Sequence, residues 1–310
     1  MRVQPVNFYS TARIKTNSAS KILAHQAKDS VSFRAVSVLC KTPSDYRNLS
    51  DMQKDELMNK FLVAFHDNYY FHPRYRQTHP KFIDDFISTA EEIAKNYKDR
   101  RIISVGRSPC AFLETAMMIP NGIEGYIKAP FSGSWYSSLN NSGKNPIYSV
   151  VKGKKPSIDN MINYGINCLE AQGITPEIII NDAIKKNKTV IIDYIESGAS
   201  IVSFIDVLTA WFRNKGYTRE QLLNSIDIVA IGKPTMKKIE GINIKTVGKE
   251  DYGSFTYNND QCDSAFCGEY PSNQWAKNSP PYDKEGSNAH LVRFRLMDYL
   301  SSIGQLRNDK

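Results

Sequence analysis

The sequence predicts an α/β fold, a mostly parallel sheet with helices on both faces, preceded by a helical N-terminal extension. Two observations predict it. From residue 101 onward, short β-branched runs alternate with longer stretches of helical period, the pattern of parallel strands buried on both sides. The clearest run, Thr189-Val190-Ile191-Ile192-Asp193, passes through a small hydroxylated turn straight into a helical pattern. Composition sets the outer limits. The 310 residues, 41% hydrophobic and 23% charged, suit a globular chain with one substantial core. No stretch approaches ~20 consecutive apolar residues, so no membrane partner is expected.

Residues 1–48 read as a basic, disordered or loosely docked leader. The first 50 residues hold eight Lys/Arg against two acids, leaving only +2 of the +8 net charge for the rest of the chain. A near-neutral body behind a basic tail is not the footprint of a nucleic-acid binder. The leader lacks the apolar core of a secretory signal peptide. An address, either a bacterial secretion signal or an organellar transit peptide, is the alternative to plain disorder. Five scattered cysteines, an odd number, fit a reducing, cytoplasmic setting better than a disulfide framework.

A helical extension over 49–100 follows. Ser50 before Asp51-Met52-Gln53 makes a capping box, and Leu57, Phe61, Leu62 and Phe65 form the apolar face of a first helix. The aromatic cluster of 69–76 either packs a helix–helix corner or stacks on a base. His66, His72 and His79 are spaced by six and seven, which shares no helical face and argues against a metal site. A second helix spans about 80–97, with Pro80 in its first turn.

The α/β domain is assigned to 101–310. Its strands are expected at 102–105, 125–131, 189–193 and 227–231, with 242–247 as an edge strand. Helices are expected from about 110 to 118 and near 157–171, 176–186, 201–214 and 218–224. In such sheets ligands bind at the carboxyl ends of strands near a topological switch point, which draws attention to the turns after Val105 and Asp193. There is no P-loop and no Gly-x-Ser-x-Gly elbow.

In the turn after Ile192, Ser197, Gly198, Ala199 and Ser200 open a helix. Backbone N–H groups at such a turn converge on one point and, with the helix dipole, favour a phosphate. Ser197 and Ser200 add hydroxyl donors, and Gly198 permits backbone conformations that a side chain opposes. Asp193 and Glu196 flank the pocket. An ordinary Ser/Gly helix cap is the alternative.

This stretch resembles the signature of type I phosphoribosyltransferases: an apolar strand, two acids, two apolar residues, an acid, then a Thr-Gly-x-Thr turn. Ser197-Gly198-Ala199-Ser200 matches the 5′-phosphate turn, Asp193 the second ribose-binding acid, and Glu196 the acid near the reacting base. The chain departs from the signature at the first acid, which is Ile192 here. The resemblance implies a pyrophosphate-binding loop at Gly106, Arg107 and Ser108. It implies a mobile lid over 131–144 and base-binding roles for Lys233 and Trp275. Phe266 is the other aromatic candidate to stack on the acceptor. It further implies a magnesium ion bound with 5-phosphoribosyl 1-diphosphate, with Asp193 an indirect contact at most.

The segment 248–286 is rich in Tyr, Asn, Ser, Pro and Gly and reads as an irregular hood. A last helix is expected over about 287–303. The expected activity is transfer of a phosphoribosyl group to a nitrogen acceptor with release of pyrophosphate. The alternatives are a non-catalytic nucleotide or phosphoribosyl regulator, or a secreted bacterial effector on the same fold. The partner is then a small phosphoribosyl or nucleotide ligand, with oligomerisation left open.

Overall fold

β-Branched runs build the centre of the molecule. The computed structural model describes residues 40–65, 80–131, 134–138, 148–152, 154–195, 197–234, 236–248 and 288–308, all within one unit, 39–310. Strands β1 (Ile102–Val105), β2 (Ile127–Ala129), β5 (Thr189–Asp193), β6 (Ile226–Ile231), β7 (Lys238–Ile239) and β8 (Ile242–Val247) form one sheet in the order β2-β1-β5-β6-β8-β7. All neighbours run parallel except the β7–β8 pair. Every residue of β1 and of β5 is buried. Successive side chains point to opposite faces, so both faces of the sheet centre are covered.

The expected edge strand over 242–247 is present, but β7 lies outside it. Asn243 and Lys245 are exposed on one face of β8, whose far edge is covered by β7. The two-residue β7 is too short to announce itself by periodicity. A separate antiparallel hairpin, β3 (Tyr136–Ser138) with β4 (Tyr148–Val150), stands outside the main sheet.

The helices divide between the faces. On one side lie α5 (Ile158–Tyr164), α6 (Pro176–Ile184), α7 (Ala199–Asn214) and α8 (Arg219–Ser225). There Phe204, Leu208 and Trp211 of α7 join Ile103, Val105, Ile191 and Ile228 in one apolar cluster. The helical run after α5 continues as a π turn, Gly165–Leu169, and a 3-10 turn, Glu170–Gln172. The strand residues of opposite parity (Ile102, Val190, Ile192, Val229) belong to the other face. The remaining helices are α1 (Pro43–Arg47), α2 (Asp51–Ala64), α3 (Pro80–Tyr97), α4 (Cys110–Met118) and α9 (Ala289–Ser302). Phe86 of α3 stacks on Phe112 of α4 with ring centroids 4.2 Å apart. α9 packs against α2 and α4.

The capping box at Ser50 forms as expected: Gln53 N donates to Ser50 Oγ and Ser50 N to Gln53 Oε1. Leu57, Phe61 and Phe65 are buried, whereas Leu62 is partly exposed. Order precedes Ser50: Cys40 is fully buried, and Thr42 caps the short α1 with its own capping box. No described helix is long and apolar enough to cross a membrane. His66, His72, His79, Cys262, Cys267, Phe266 and the hood all lie outside the described residues, apart from Gly248 at the hood's start.

Candidate functional site

The parallel pairing brings three loops to one edge of the sheet. Ser104 of β1 lies beside Ile192 of β5, which lies beside Val229 of β6. The turns that follow Val105, Asp193 and Ile231 therefore leave from the same carboxyl edge. The chain goes from β1 to β2 on one side, then crosses to β5 on the other, so β1 and β5 flank the topological switch point.

At β5 the turn ends in Gly198, the N-cap of the 16-residue helix α7, with φ +73° and no side-chain cap. Only glycine adopts this left-handed conformation without strain. A Cβ here would also stand 2.5 Å from Met236 Sδ, 2.7 Å from Tyr148 Oη and 2.9 Å from Ile239 Cδ1. Ser197 is exposed, Ser200 half-buried, and Ala199 buried. Ser197 Oγ lies 3.5 Å from Ala199 N. No acid occupies the first turn of α7, which leaves its positive dipole end uncompensated by its own side chains. Glu196 lies outside the described residues.

Asp193 is the last residue of β5 and is buried, 8% exposed. Tyr194 N donates to its Oδ1 at 2.8 Å. Burial pushes its carboxyl well above the usual carboxylate range, against that hydrogen bond, and the nearby Cys110 thiol adds to the rise. Ile192, at the position of the expected first acid, is fully buried.

The loop after β1 adopts a tight turn at Gly106, with φ +73° and its N–H donated to Ala129 O at 2.9 Å. A Cβ there would stand 3.0 Å from Phe131 O, so glycine lets the two strand ends close up. Arg107 and Ser108 are half-buried beside it. Beneath the turn, Cys110 Sγ lies 3.5 Å from Ser104 Oγ and 3.7 Å from Gly106 O. Lys233 is exposed just past β6. Trp275 lies outside the described residues.

Residues that sequence reasoning missed tie the β3–β4 hairpin to α7. Asp206, one face of α7 toward the hairpin, accepts from Tyr136 Oη (2.7 Å), Lys155 Nζ (2.8 Å) and Trp135 Nε1 (3.3 Å), and Arg219 Nη1 stands 3.4 Å away. Burial alone would raise its pKa, but the Lys155 and Tyr136 hydrogen bonds outweigh it and hold the carboxylate below its ordinary range. Ser203, one turn earlier, accepts or donates to Ser134 Oγ at 3.1 Å. From β4, Tyr148 Oη donates to Ser197 O at 3.0 Å. Burial, with Glu240 adding, pushes the Tyr148 phenol up to about 12, so it remains a donor at neutral pH. The expected lid over 131–144 is thus anchored where it is described. Its residues 132–133 and 139–144 fall outside the described ones.

Two clefts among the described residues, of about 730 and 960 Å³, open at the other end of the sheet and are lined by none of the turn residues. Among the described residues no group of three or more His, Cys, Asp or Glu is placed to hold a metal ion. No protein-family model, curated protein or solved structure matches the chain.

Proposed function

We propose that the chain binds 5-phosphoribosyl 1-diphosphate at the turn opening α7 and transfers its phosphoribosyl group to a nitrogen acceptor. The observation that carries this reading is the Gly198 turn itself. It opens a long helix with a left-handed glycine as N-cap, at the carboxyl end of the central strand and beside the switch point. The resemblance to type I phosphoribosyltransferases extends the reading to a fold of that type.

In the reaction the acceptor nitrogen bonds to the anomeric carbon as the carbon–oxygen bond to pyrophosphate breaks. Pyrophosphate leaves with the bonding electrons, and the acceptor's proton passes to a base. The N–H groups of the turn, with Ser197 and Ser200, hold the 5′-phosphate. Gly106, Arg107 and Ser108 receive the pyrophosphate, whose growing charge Arg107 offsets. Glu196 is assigned to the acceptor proton, and Lys233 and Trp275 to the acceptor base. Asp193, buried and already accepting from the Tyr194 N–H, is assigned no direct contact with magnesium. A magnesium ion brought in with the diphosphate would supply charge neutralisation of the leaving group.

A second reading has its own support. Ile192 is apolar and buried, and Asp193 is buried with a raised pKa. The pair of acids in the family signature is therefore incomplete, which favours a regulator that binds a phosphoribosyl or nucleotide ligand without turnover. Delivery by the basic leader, as a secreted effector, is compatible with either.

Titration calorimetry with 5-phosphoribosyl 1-diphosphate and magnesium is the test. Saturable binding is expected, weakened about tenfold or more in a Ser197→Ala/Ser200→Ala double variant, about one hydrogen bond or more to a charged group. Wild-type affinity in that variant would overturn the site. Pyrophosphate release with a panel of nitrogen bases then separates transferase from regulator.

A further inference from the structure

Gly198 has a left-handed φ of +73°, and α7 begins right-handed at Ala199. A left-handed residue joined to a right-handed one gathers successive N–H groups into an anion-binding hollow, here those of Gly198, Ala199 and Ser200. Val202 N donates to Gly198 O at 3.0 Å, the first rung of the helix, so these three N–H groups precede the ladder. The first of them belongs to the peptide unit between Ser197 and Gly198. In a trans peptide the carbonyl and the N–H point in opposite directions, and they can only turn together.

That unit is the loosest in the turn. Turning it over changes ψ of Ser197 and φ of Gly198, and glycine accepts either sign of φ. In the turned-over form a carbonyl oxygen replaces the N–H in the hollow and repels an anion. We infer that Tyr148, on the β3–β4 hairpin, is a positioning residue of the phosphate turn. Its phenol holds the Ser197 carbonyl out of the hollow and thereby keeps the Gly198 N–H in it. The inference rests on the phosphoribosyl reading of the turn and deepens it.

Tyr148 Oη lies 3.0 Å from Ser197 O. A carbonyl has no proton to give, so the phenol is the donor. It also lies directly against the glycine, since a Cβ on Gly198 would stand 2.7 Å from Tyr148 Oη. The tyrosine is itself held. Its ring meets Tyr136 edge-on with centroids 6.3 Å apart, and Tyr136 Oη donates to Asp206 of α7 at 2.7 Å. Met236 Sδ stands 3.5 Å from the phenol oxygen. The donor therefore reaches the turn from a base fixed on the same helix that the turn opens, two turns further along.

The test compares full-length wild type with Tyr148→Phe, which keeps the ring and removes the donor. Calorimetry uses two probes: ribose 5-phosphate, which carries the 5′-phosphate, and magnesium pyrophosphate, assigned to the Gly106–Ser108 loop. Tyr148→Phe should weaken ribose 5-phosphate about tenfold or more and leave pyrophosphate affinity unchanged. 4-Aminophenylalanine at position 148 restores an N–H donor at the same place and should recover most of the lost affinity. Unchanged ribose 5-phosphate affinity in Tyr148→Phe would overturn the inference alone. So would an equal loss for both probes, the mark of general damage, or no recovery with the amino group. A wild type that does not bind ribose 5-phosphate would overturn the phosphoribosyl reading, and the inference with it.

Discussion

Asp193 ends the central strand in a place where two demands conflict. The carboxylate terminates an otherwise apolar run, and burial there disfavours its charge more strongly than the Tyr194 N–H supports it. The consequence for stability has a definite sign. Because the folded pKa is raised, Asp193 costs nothing below the unfolded carboxylate range. Its penalty grows as pH rises from there to the folded pKa. Asp193→Asn should therefore match wild type in melting temperature near pH 4 and exceed it increasingly as pH rises above that. A constant difference across that range, followed by differential scanning fluorimetry, would show that the carboxyl is not desolvated in the fold. At Gly198 the constraint is steric instead: a left-handed turn closed over by Tyr148, Met236 and Ile239 leaves no room for a side chain.

Helix α7 joins two functions in one element. Its apolar side, with Phe204, Leu208 and Trp211, supplies the core against β1, β5 and β6. Its other side carries Asp206 and Ser203, which hold the base of the β3–β4 hairpin, while its N-terminus forms the candidate phosphate turn. A helix packed this firmly cannot shift its N-terminus without disturbing the hairpin. Asp206→Ala removes hydrogen bonds from Tyr136, Trp135 and Lys155 together. The expected cost is about 2 kcal/mol, a fall of about 5 °C in melting temperature for a unit of this size. Since the Asp206 pKa is lowered in the fold, its contribution is complete above the unfolded carboxylate pKa. It disappears as pH falls through the folded value, so the gap between Asp206→Ala and wild type should close toward pH 3.

Across the whole molecule, distant parts of the chain are joined by a buried ion pair. Glu114 on α4 and Arg293 on α9 meet in a two-pronged contact with both side chains under a tenth exposed. Breaking one partner of such a pair leaves the other charge buried and uncompensated. Glu114→Ala should cost about 3–5 kcal/mol, seen as a large drop in the urea midpoint. Glu114→Leu combined with Arg293→Met should recover much of that loss, because the stranded charge is then removed. Equal losses in the single and double variants would mean that packing, not charge, dominates there. α9 thereby closes the first helices against the sheet, well away from the carboxyl edge.

The sequence by itself determined which segments are strands and helices wherever an apolar period is long enough to be unambiguous. β5, α3 and the capping box at Ser50 follow from patterns within a few residues, because burial of a repeating face is a local property. It also located the Gly198 turn, since a glycine between a strand and a helix constrains the backbone at that point. It did not disclose the three-residue strands of the hairpin or the two-residue β7, which carry too few residues for a period. Nor did it disclose the strand order, in which β5 crosses to the far side of β1, because crossovers are decided by packing between layers. Asp206 shows the limit most clearly. Its partners Trp135 and Tyr136 lie about 70 residues earlier in the chain, and nothing near Asp206 distinguishes it from a solvated helix acid. A hydrogen-bonded pair depends on two groups meeting in space, and only the tertiary structure decides which do.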